Sequence, residues 1–402
     1  MNANEAAVVI AGGGIVGLTL ACLLAEERRL REAGIIVLEP REPQPPAAET
    51  GLRVSAISPR SQAILSDCGA WQGLPPERLG PYQRMCVWRD GGPGGAQRIR
   101  FDAAEQGLPV LGHIVENELL RWALWQRAAD AGVGLRAGCE LLNALIEPEQ
   151  AAITTADGER LGARLLVAAD GARSRLRQLA GLPWRYRSYR QRGLVTVVSS
   201  ERWHEQCAWQ RFLPGGPLAL LPLADGRSSI VWSVPDAQAD ALLDGGPEAL
   251  GEALTAASER VLGRLSVAGE AQAFPLAAGH APAYVSERLA LVGDAAHQVH
   301  PLAGQGVNLG LADAAALAGV LRAHAQLPAA DPGDRRVLRR YERARKADNL
   351  LTLGTMDLFH RVFGGGPALA GAGGIGLAIA DRVPALKRRL AAQALGSRGL
   401  VR

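Results

Sequence analysis

Four glycines near the start of the chain stand where the backbone could receive a phosphate group. They are Gly12, Gly13, Gly14 and Gly17, and they directly follow the apolar run "AAVVIA". In the spacing G-x-G-x-x-G, Gly12 permits a tight turn, Gly14 lets a pyrophosphate approach, and Gly17 lets a helix pack closely. An acid, Glu39, ends the next apolar run and would accept hydrogen bonds from ribose hydroxyls. Together these residues predict a dinucleotide site.

Two further acids stand at the ends of apolar runs, where a carboxylate suits a polyol. The stretch "RLLVAADGARSRLRQLAG" (residues 164–181) contains Asp170 and Gly171, and "RLALVGDAAHQVHPLAGQGVNLGLADAAALAGVL" (residues 288–321) contains Gly293 and Asp294. The ribityl chain of FAD is such a polyol, and NAD lacks it. A helix that starts near Gly306 would direct its amides and its positive end at the pyrimidine edge of a flavin. These features favour FAD over NAD.

The elements that would position these groups form a β-α-β unit. "AAVVIA" (residues 6–11) is typical of a strand buried on both faces. A helical pattern of leucines follows from Ile15 to about Arg31, and "AGIIVLEP" (residues 33–40) is a second buried strand. A second G-x-G-x-x-G match, "GAGGIG" (residues 371–376), lacks such strands on either side. It is interpreted as close helix packing or a loop, without a nucleotide.

Composition limits the class of protein. The chain has 402 residues, enough for one large or two medium domains, and 48% of them are hydrophobic. A net charge of +4 without a lysine-rich tract argues against a nucleic-acid partner. Five scattered cysteines fit a reducing cytoplasm, and no metal is expected because His297 and His300 have no clear third ligand. The start of the chain shows no signal peptide, which predicts a cytoplasmic protein.

Taken together, the three motif stretches resemble the group A flavoprotein monooxygenases, which share the fold of p-hydroxybenzoate hydroxylase. The matching residues are Gly12, Gly14, Gly17 and Glu39 in the first motif, Asp170, Gly171, Ser174 and Arg177 in the second, and Gly293, Asp294, His297, Pro301, Gly304, Gln305, Gly306, Asn308 and Asp313 in the third. The resemblance implies an α/β fold with a Rossmann-like FAD-binding domain, an antiparallel-sheet substrate domain and a helical C-terminal region.

Four other segments resemble the ubiquinone-biosynthesis hydroxylases within that family. They are "LRVSAISPRS" (residues 52–61), "LGHIVENELLRWALW" (residues 111–125), "AWQRFLPGGPLALLPL" (residues 208–223) and "YERARKADNLLTLGTMDLF" (residues 341–359). An Asp often stands two residues before the arginine of the first segment, and here that position is Gly51. The resemblance implies a monooxygenase that hydroxylates the aromatic ring of a polyprenylated phenol, with O2 as oxidant and NADPH or NADH as reductant.

The same resemblance implies site residues. The cofactor-binding set is Gly12, Gly13, Gly14, Gly17, Glu39, Arg53, Asn117, Asp170, Gly171, Arg177, Gly293, Asp294, Pro301, Gly304, Gly306, Val307 and Asn308. The loop with Pro301, Gly304 and Gln305 would line the flavin face where O2 reacts to form a C4a-hydroperoxide, and no catalytic base is assigned. Arg173, Arg175 and Arg177 are expected to form a solvated helix face or to attract the phosphates of NADPH. Two other functions stay open: hydroxylation of another aromatic metabolite, and a non-catalytic flavoprotein scaffold in a biosynthetic complex.

The predicted FAD-binding domain is discontinuous and comprises residues 1–80, 105–182 and 275–325. Residues 81–104 and 183–274 contain strand-like runs such as "SSIVWSV" and would form the substrate-binding sheet. Residues 326–402 are expected to be a helical C-terminal region.

The C-terminal region is expected to contact a membrane surface or a biosynthetic complex, because a polyprenyl substrate resides in lipid. Residues 362–380 carry no charge, and the tail from residue 381 onward has six basic residues and one acid, a net charge of +5. The uncharged run is long enough to span a bilayer, but its glycines favour a helix that packs on the body or lies at a membrane surface. A solvated basic end is the alternative. The enzyme is expected to be an oligomer that is peripheral at the inner face of the membrane.

Overall fold

The computed structural model describes residues 5–299 and 305–364, together with Asp381, Val383 and Lys387. The strands are β1 (Glu5–Ala11), β2 (Ile35–Glu39), β3 (Val54–Ile57), β4 (Gly80–Tyr82), β5 (Arg84–Trp88), β6 (Arg98–Asp102), β7 (Gly112–Glu116), β8 (Gly134–Ala137), β9 (Leu141–Ile146), β10 (Ala151–Thr155), β11 (Arg160–Ala168), β12 (Arg185–Ser200), β13 (Cys207–Leu213), β14 (Gly216–Pro222), β15 (Ser228–Pro235), β16 (Leu265–Val267), β17 (Gln272–His280), β18 (Val285–Ser286), β19 (Leu289–Leu291) and β20 (His297–Gln298). The helices are α1 (Ile15–Ala25), α2 (Arg28–Glu32), α3 (Pro59–Asp67), α4 (Asn117–Asp130), α5 (Arg175–Leu179), α6 (Asp236–Asp244), α7 (Gly246–Ala257), α8 (Gln305–Ala325) and α9 (Arg335–Gly364).

Eight strands form the first sheet, and its central strands are parallel. Their order is β18-β19-β11-β1-β2-β8, with β10 and β9 attached to β11 as an antiparallel extension. β1 is fully buried from Val8 to Ile10. Its uninterrupted apolar sequence follows from this position, because both faces of a central parallel strand are covered by other elements.

The register of the parallel strands brings the motif residues to one edge of this sheet. Ala11, the last residue of β1, pairs with Leu38 of β2 and with Ala168 of β11. Ala168 pairs in turn with Leu291 of β19. The first acid is the last residue of β2, and the loops that leave β1, β11 and β19 contain the glycine turn and the two later acid–glycine pairs. Open α/β sheets bind ligands at this carboxyl edge, so the fold gathers the predicted site.

Nine strands form the second sheet, in the order β20-β17-β12-β15-β14-β13-β5-β6 with β16 beside β12. Among the strand pairs that the structure describes in this sheet, β13 and β5 are parallel and the others are antiparallel. On its outer face, Leu194 and Ile230 pack in one buried cluster with Leu254 of α7. On its inner face, Leu221 packs in another cluster with Ile114 of β7, which belongs to a three-stranded sheet of β3, β7 and β4. The predicted α/β fold class, with its antiparallel second sheet, is confirmed.

α8 and α9 pack along the first sheet. Within the described residues, Gly306–Ala325 is the one stretch long and apolar enough to cross a membrane by length and composition, and half of it is buried. Leu311 of α8 belongs to the buried core of the first sheet, which is the pattern of a core helix. The distal part of α9 reaches the second sheet, where Met356 and Val362 pack on a cluster that contains Phe212.

The predicted domain boundaries remain predictions, although β17 runs through the boundary at residue 275 and β20 also joins the second sheet. The described part of the C-terminal region is helical in α9. Residues 365–380, which contain the second glycine match, lie outside the described residues.

Candidate functional site

The first glycine turn has the geometry that its sequence predicts. Gly12 has a φ of +110°, and a Cβ there would lie 2.4 Å from the carbonyl oxygen of Ala169. A Cβ on Gly17 would lie 2.1 Å from the carbonyl oxygen of Gly12. By contrast, a Cβ on Gly14 would meet no atom within 4 Å. Gly14 is also the N-cap of α1 and has no side chain to bond the first helix amides, so space and donors for an anion coincide.

Glu39 is held at the mouth of this turn by its neighbours. Its Oε2 accepts a hydrogen bond from the amide of Gly13 at 2.8 Å, and its Oε1 accepts one from the amide of Arg41 at 3.1 Å. The guanidinium of Arg121 lies 3.2 Å from Oε1 and donates through Nε to the carbonyl of Gly13 at 2.9 Å. Arg121 is therefore a site residue that the sequence analysis missed. The available signal was its place one helical turn after Asn117 in α4.

Asp170 retains an unused hydrogen-bond acceptor at the edge of the sheet. Its Oδ2 accepts from the amide of Leu176 at 3.1 Å. Its Oδ1 is buried and has no hydrogen-bond partner in the described part of the chain. Burial raises the pKa of this carboxyl. A ligand hydroxyl would satisfy the orphaned oxygen, so this position fits the expected polyol cofactor.

Arg177 joins the second motif to the third. Its side chain is buried, donates to the carbonyl oxygens of Ala295 and Ala172 at 2.8 Å each, and lies 3.9 Å from the ring centre of Trp184. The solvated-face interpretation is therefore wrong for Arg177, because its guanidinium bridges two loops inside the protein. Arg173 and Arg175 are exposed as that interpretation requires.

Asp294 lies at the same edge, in the short turn Gly293–Ala295 that follows β19. Its side chain is accessible to water, yet the surrounding protein is dense enough that desolvation raises the pKa of its carboxyl. The charges of His297 and Arg53 oppose this rise. Gly293 before it has a φ of +58°, a conformation that favours glycine. A carboxylate that water reaches but protein surrounds suits a ligand polyol.

A buried ionic network holds the Gly293 turn from below. Asp313 accepts through Oδ2 from the amide of Gly293 at 3.1 Å and from the ring of His297. Through Oδ1 it accepts from Arg345 at 2.8 Å and from Asn349 at 3.1 Å. Burial opposes ionisation of Asp313, but the charges and hydrogen bonds of His297 and Arg345 lower its pKa. The two α9 residues were not predicted, although both lie in the segment that carries the narrower resemblance.

The three-stranded sheet links the predicted residues Arg53, Asn117 and Asn308. The amide of Asn117 donates to the carbonyl of Arg53 at 2.9 Å, and its side-chain oxygen accepts from Ser55 at 2.7 Å. The side-chain nitrogen of Asn308 donates to the carbonyl of Ala56 at 2.8 Å. These bonds attach β3 to α4 and to α8.

Gly51, which stands where the resembling hydroxylases often have Asp, lies beside a buried carboxylate. The backbone amide of Gly51 donates to the buried carboxylate of Glu116, and a Cβ at Gly51 would lie 3.1 Å from that oxygen. Arg78 makes a bidentate pair with Glu116 at 2.9 and 2.7 Å. A buried acid, Glu116, therefore lies beside position 51, and it fixes the loop that leads to Arg53.

Comparison with known proteins agrees with this geometry. A family model described as an FAD binding domain matches residues 5–349. The 3-demethoxyubiquinol 3-hydroxylase of Escherichia coli (strain K12) is 38% identical over 403 residues, covering 98% of this chain and 100% of that protein. The ubiquinone hydroxylase UbiL of Rhodospirillum rubrum is 37% identical, covering 97% of this chain and 89% of that protein. The mitochondrial ubiquinone biosynthesis monooxygenase COQ6 of Homo sapiens is 34% identical, covering 89% of this chain and 85% of that protein.

The chain belongs to the ubiquinone-biosynthesis hydroxylases. This hydroxylase is accordingly an FAD-dependent aromatic-ring monooxygenase, and a non-catalytic scaffold is not favoured. Solved structures show the same fold. Pseudomonas putida p-nitrophenol 4-monooxygenase PnpA has a TM-score of 0.78 at 19% identity, covering 99% of this chain and 100% of that chain. Klebsiella pneumoniae HpxO, complexed with FAD, has a TM-score of 0.74 at 19% identity, covering 98% of this chain and 99% of that chain.

The predicted flavin-face loop of this hydroxylase falls largely outside the described residues. Pro301 and Gly304 are not described, and Gln305, Gly306 and Val307 form the first turn of α8. Their predicted roles at the flavin stay predictions. Within the described ranges, no group of three or more His, Cys, Asp or Glu could hold a metal ion.

Proposed function

We propose that this hydroxylase inserts oxygen into the ring of a polyprenylated phenol or quinol in ubiquinone biosynthesis, with NADPH or NADH as electron donor. The observation that carries the proposal is the 38% identity to a relative named 3-demethoxyubiquinol 3-hydroxylase, which spans 100% of that relative. The geometry supports it, because the cofactor edge of the first sheet is linked through β3 and β7 to an apolar face of the second sheet.

The chain's own residues would bind and orient the cofactor at this edge. The glycine turn and the first amides of α1 would receive the diphosphate, Glu39 and Asp170 would receive hydroxyls, and Asp294 would receive the ribityl chain. When bound, FAD accepts electrons from the nicotinamide and activates O2. The protein must keep water from that reaction, and the apolar inner face of the second sheet serves this purpose.

The substrate proposal is tested with the purified enzyme and a short-chain prenylated phenol. We expect the phenol to stimulate oxidation of NADPH or NADH and to be recovered with one added oxygen. A binding scaffold would bind FAD without this stimulation. In a deletion strain without a compensating homologue, a ubiquinone precursor should accumulate. Its mass would identify the hydroxylation step that is missing, and therefore the ring carbon on which the enzyme acts. Normal ubiquinone in that strain would contradict the proposal.

We further propose that the enzyme is a cytoplasmic protein, peripheral at the membrane, which it meets through its C-terminal region. The solvent-facing side of α9 supports this, since Leu350, Leu351 and Leu358 are 39%, 47% and 58% exposed. The tail returns to the body near its start, where Lys387 pairs with Glu105 at 2.9 Å. Apolar side chains beside a basic segment are the combination that binds an anionic bilayer surface. Self-association stays a prediction.

A further inference from the structure

We propose that Gln210 of β13 binds the substrate ring through a hydrogen bond to one of its oxygen substituents. This inference rests on the proposed function. Gln210 is 6% exposed, and its partners in the sheet, Ala219 of β14 and Val87 of β5, are buried and apolar. Ala208 and Phe212, two residues away on the same strand, are also buried and apolar. An amide in such a wall is costly unless it has a hydrogen-bond partner.

Nothing in the described part of the chain supplies that partner. The side chain of Gln210 makes no hydrogen bond to any other described residue. The hydroxyl oxygens of Thr196 and Ser229 are fully enclosed by protein and have no hydrogen-bond partner among the described residues. The amide atoms of Gln210 also lack a partner there, but they are not fully enclosed. The amide therefore keeps contact with accessible space, although the residue as a whole is more than nine-tenths buried.

This space lies on the inner face of the second sheet. Ala219 packs with Ile114 of the three-stranded sheet, and Gln210 points to the same side because paired residues share a face. The row continues from Ala219 to Val231 of β15 and then to Val195 of β12. Val231 and Val195 are only half-buried. The inner face is thus open beside the wall that contains Gln210.

The same face reaches the cofactor edge. Phe274 of β17 pairs with Gly193, which shares the inner face with Val195. The guanidinium of Arg53 lies 5.5 Å from the ring centre of Phe274, and its charge acts on the carboxyl of Asp294. The inner face that contains Gln210 therefore extends to Phe274, and Arg53 connects Phe274 to the acid assigned to the ribityl chain.

A neutral amide fits the oxygen substituents of a phenol ring. Its Oε1 accepts a hydrogen bond from a ring hydroxyl, and its Nε2 donates one to a ring methoxy or phenolate oxygen. The apolar residues around the amide pack against the ring itself, and the amide supplies the hydrogen bond to a ring substituent. One such bond fixes the rotation of the ring in its plane and so selects which carbon faces the flavin. Gln210 is assigned to binding and orientation, with no proton transfer.

The test compares wild type with Gln210→Met, which keeps the length of the side chain and removes the amide. We expect the Kd of a short-chain prenylated phenol, measured by flavin fluorescence, to rise about 2- to 12-fold with the loss of one neutral hydrogen bond. The ratio of hydroxylated product to NADPH oxidised should fall. FAD affinity and the Tm of the substrate-free enzyme should not fall, because an unpartnered amide has been replaced by an apolar chain.

Thr196→Val is the matched control, since it removes a buried polar atom without a partner from the outer face of β12. Thr196→Val should change neither the Kd of the phenol nor the coupling, which is the ratio of hydroxylated product to NADPH oxidised. A phenol analogue without the ring oxygen substituents should bind wild type and Gln210→Met equally. Unchanged Kd and coupling in Gln210→Met, or a lower Tm with loss of FAD, would overturn the assignment. If the wild-type enzyme neither binds nor hydroxylates the prenylated phenol, the proposed substrate is wrong and the assignment of Gln210 is wrong with it.

Discussion

Three carboxylates from distant parts of the sequence share one edge of the first sheet, but their surroundings leave them different capacities. Glu39 already accepts bonds from two amides and lies beside Arg121. Asp170 has one bonded and one orphaned oxygen. The side chain of Asp294 is exposed to water, yet desolvation by the surrounding protein raises its pKa. Asp170 and Asp294 are thus the acids with free acceptors for a ligand, while Glu39 also shapes the turn.

Replacing Asp294 with Ala should weaken FAD binding without unfolding the protein. Loss of a charge-assisted hydrogen bond to the ribityl chain costs about 1.5–3 kcal/mol, or roughly 10- to 150-fold in Kd. The Kd is measured by fluorescence titration of the apoenzyme with FAD. Asp130→Ala, at the exposed end of α4, is the control and should match wild type. Equal retention of FAD by Asp294→Ala would refute the role assigned to this acid.

Arg121→Met should raise the Kd of FAD about 2- to 12-fold, because Glu39 and the Gly13 peptide lose one hydrogen-bonding partner. Glu118→Gln is the matched control, since Glu118 touches the same guanidinium only from 3.7 Å and is 65% exposed. That variant should bind FAD like wild type. If both variants bind FAD equally well, Arg121 contributes nothing to the turn.

At the scale of elements, the turn between β1 and α1 separates folding from binding. Gly12 and Gly17 meet backbone atoms of their own turn or of the loop after β11, so their small size serves packing. Gly14 meets open space, so its small size serves a ligand. The same spacing therefore contains glycines with two physical roles, which substitutions can distinguish.

Gly12→Ala should lower the Tm of the apoenzyme, because the new Cβ would lie 2.4 Å from a backbone oxygen at a φ of +110°. Gly14→Ala should leave the apoenzyme Tm near that of wild type but weaken FAD binding, since its Cβ occupies the space assigned to the diphosphate. Calorimetry of the apoenzyme and FAD titration measure the two effects. Tight FAD binding by Gly14→Ala would place the diphosphate elsewhere.

At the scale of the whole molecule, α9 connects the cofactor site to the C-terminal region. Arg345 and Asn349 in its middle hold Asp313 under the Gly293 turn. Further along, Met356 packs on the second sheet. The tail then meets the edge strand β6, where the carboxylate of Asp381 accepts from the amide of Arg100 at 3.1 Å. The helix therefore spans both sheets before the basic tail begins.

Arg388 and Arg389 are the tail residues whose replacement tests membrane contact. Lys387 is engaged in ion pairs with Glu105 and Asp381, so it should be left intact. Replacing both Arg388 and Arg389 with Glu should weaken binding to anionic vesicles, measured by co-sedimentation. At about 1 kcal/mol for each basic residue, the partition coefficient should fall about 30-fold or more. Turnover of a soluble short-chain phenol should persist.

Arg202→Glu with Arg264→Glu is the matched control, because it changes the same charge at two exposed arginines of the second sheet's loops. It should sediment with the vesicles like wild type. If the tail variant also does so, the basic end serves solubility alone.

The sequence by itself determined the elements and motifs whose causes are local. Glycine spacing after an apolar run indicated the turn, the uninterrupted apolar run and the helical pattern of leucines indicated β1 and α1, and acids at strand ends indicated the cofactor edge. These follow from a few neighbouring residues, so they survive without knowledge of the rest of the chain. The narrower resemblance added the reaction.

The tertiary structure decided which side chains meet across the fold. Arg121 reaches Glu39 only because α4 passes the end of β2, and Arg345 reaches Asp313 only because α9 packs on α8. Arg177 is buried because two loops close over it, and Gln210 lacks a partner because apolar neighbours surround it. Each of these depends on register and packing between elements far apart in sequence, and hydrogen-bond partners at that distance leave no local pattern to recognise.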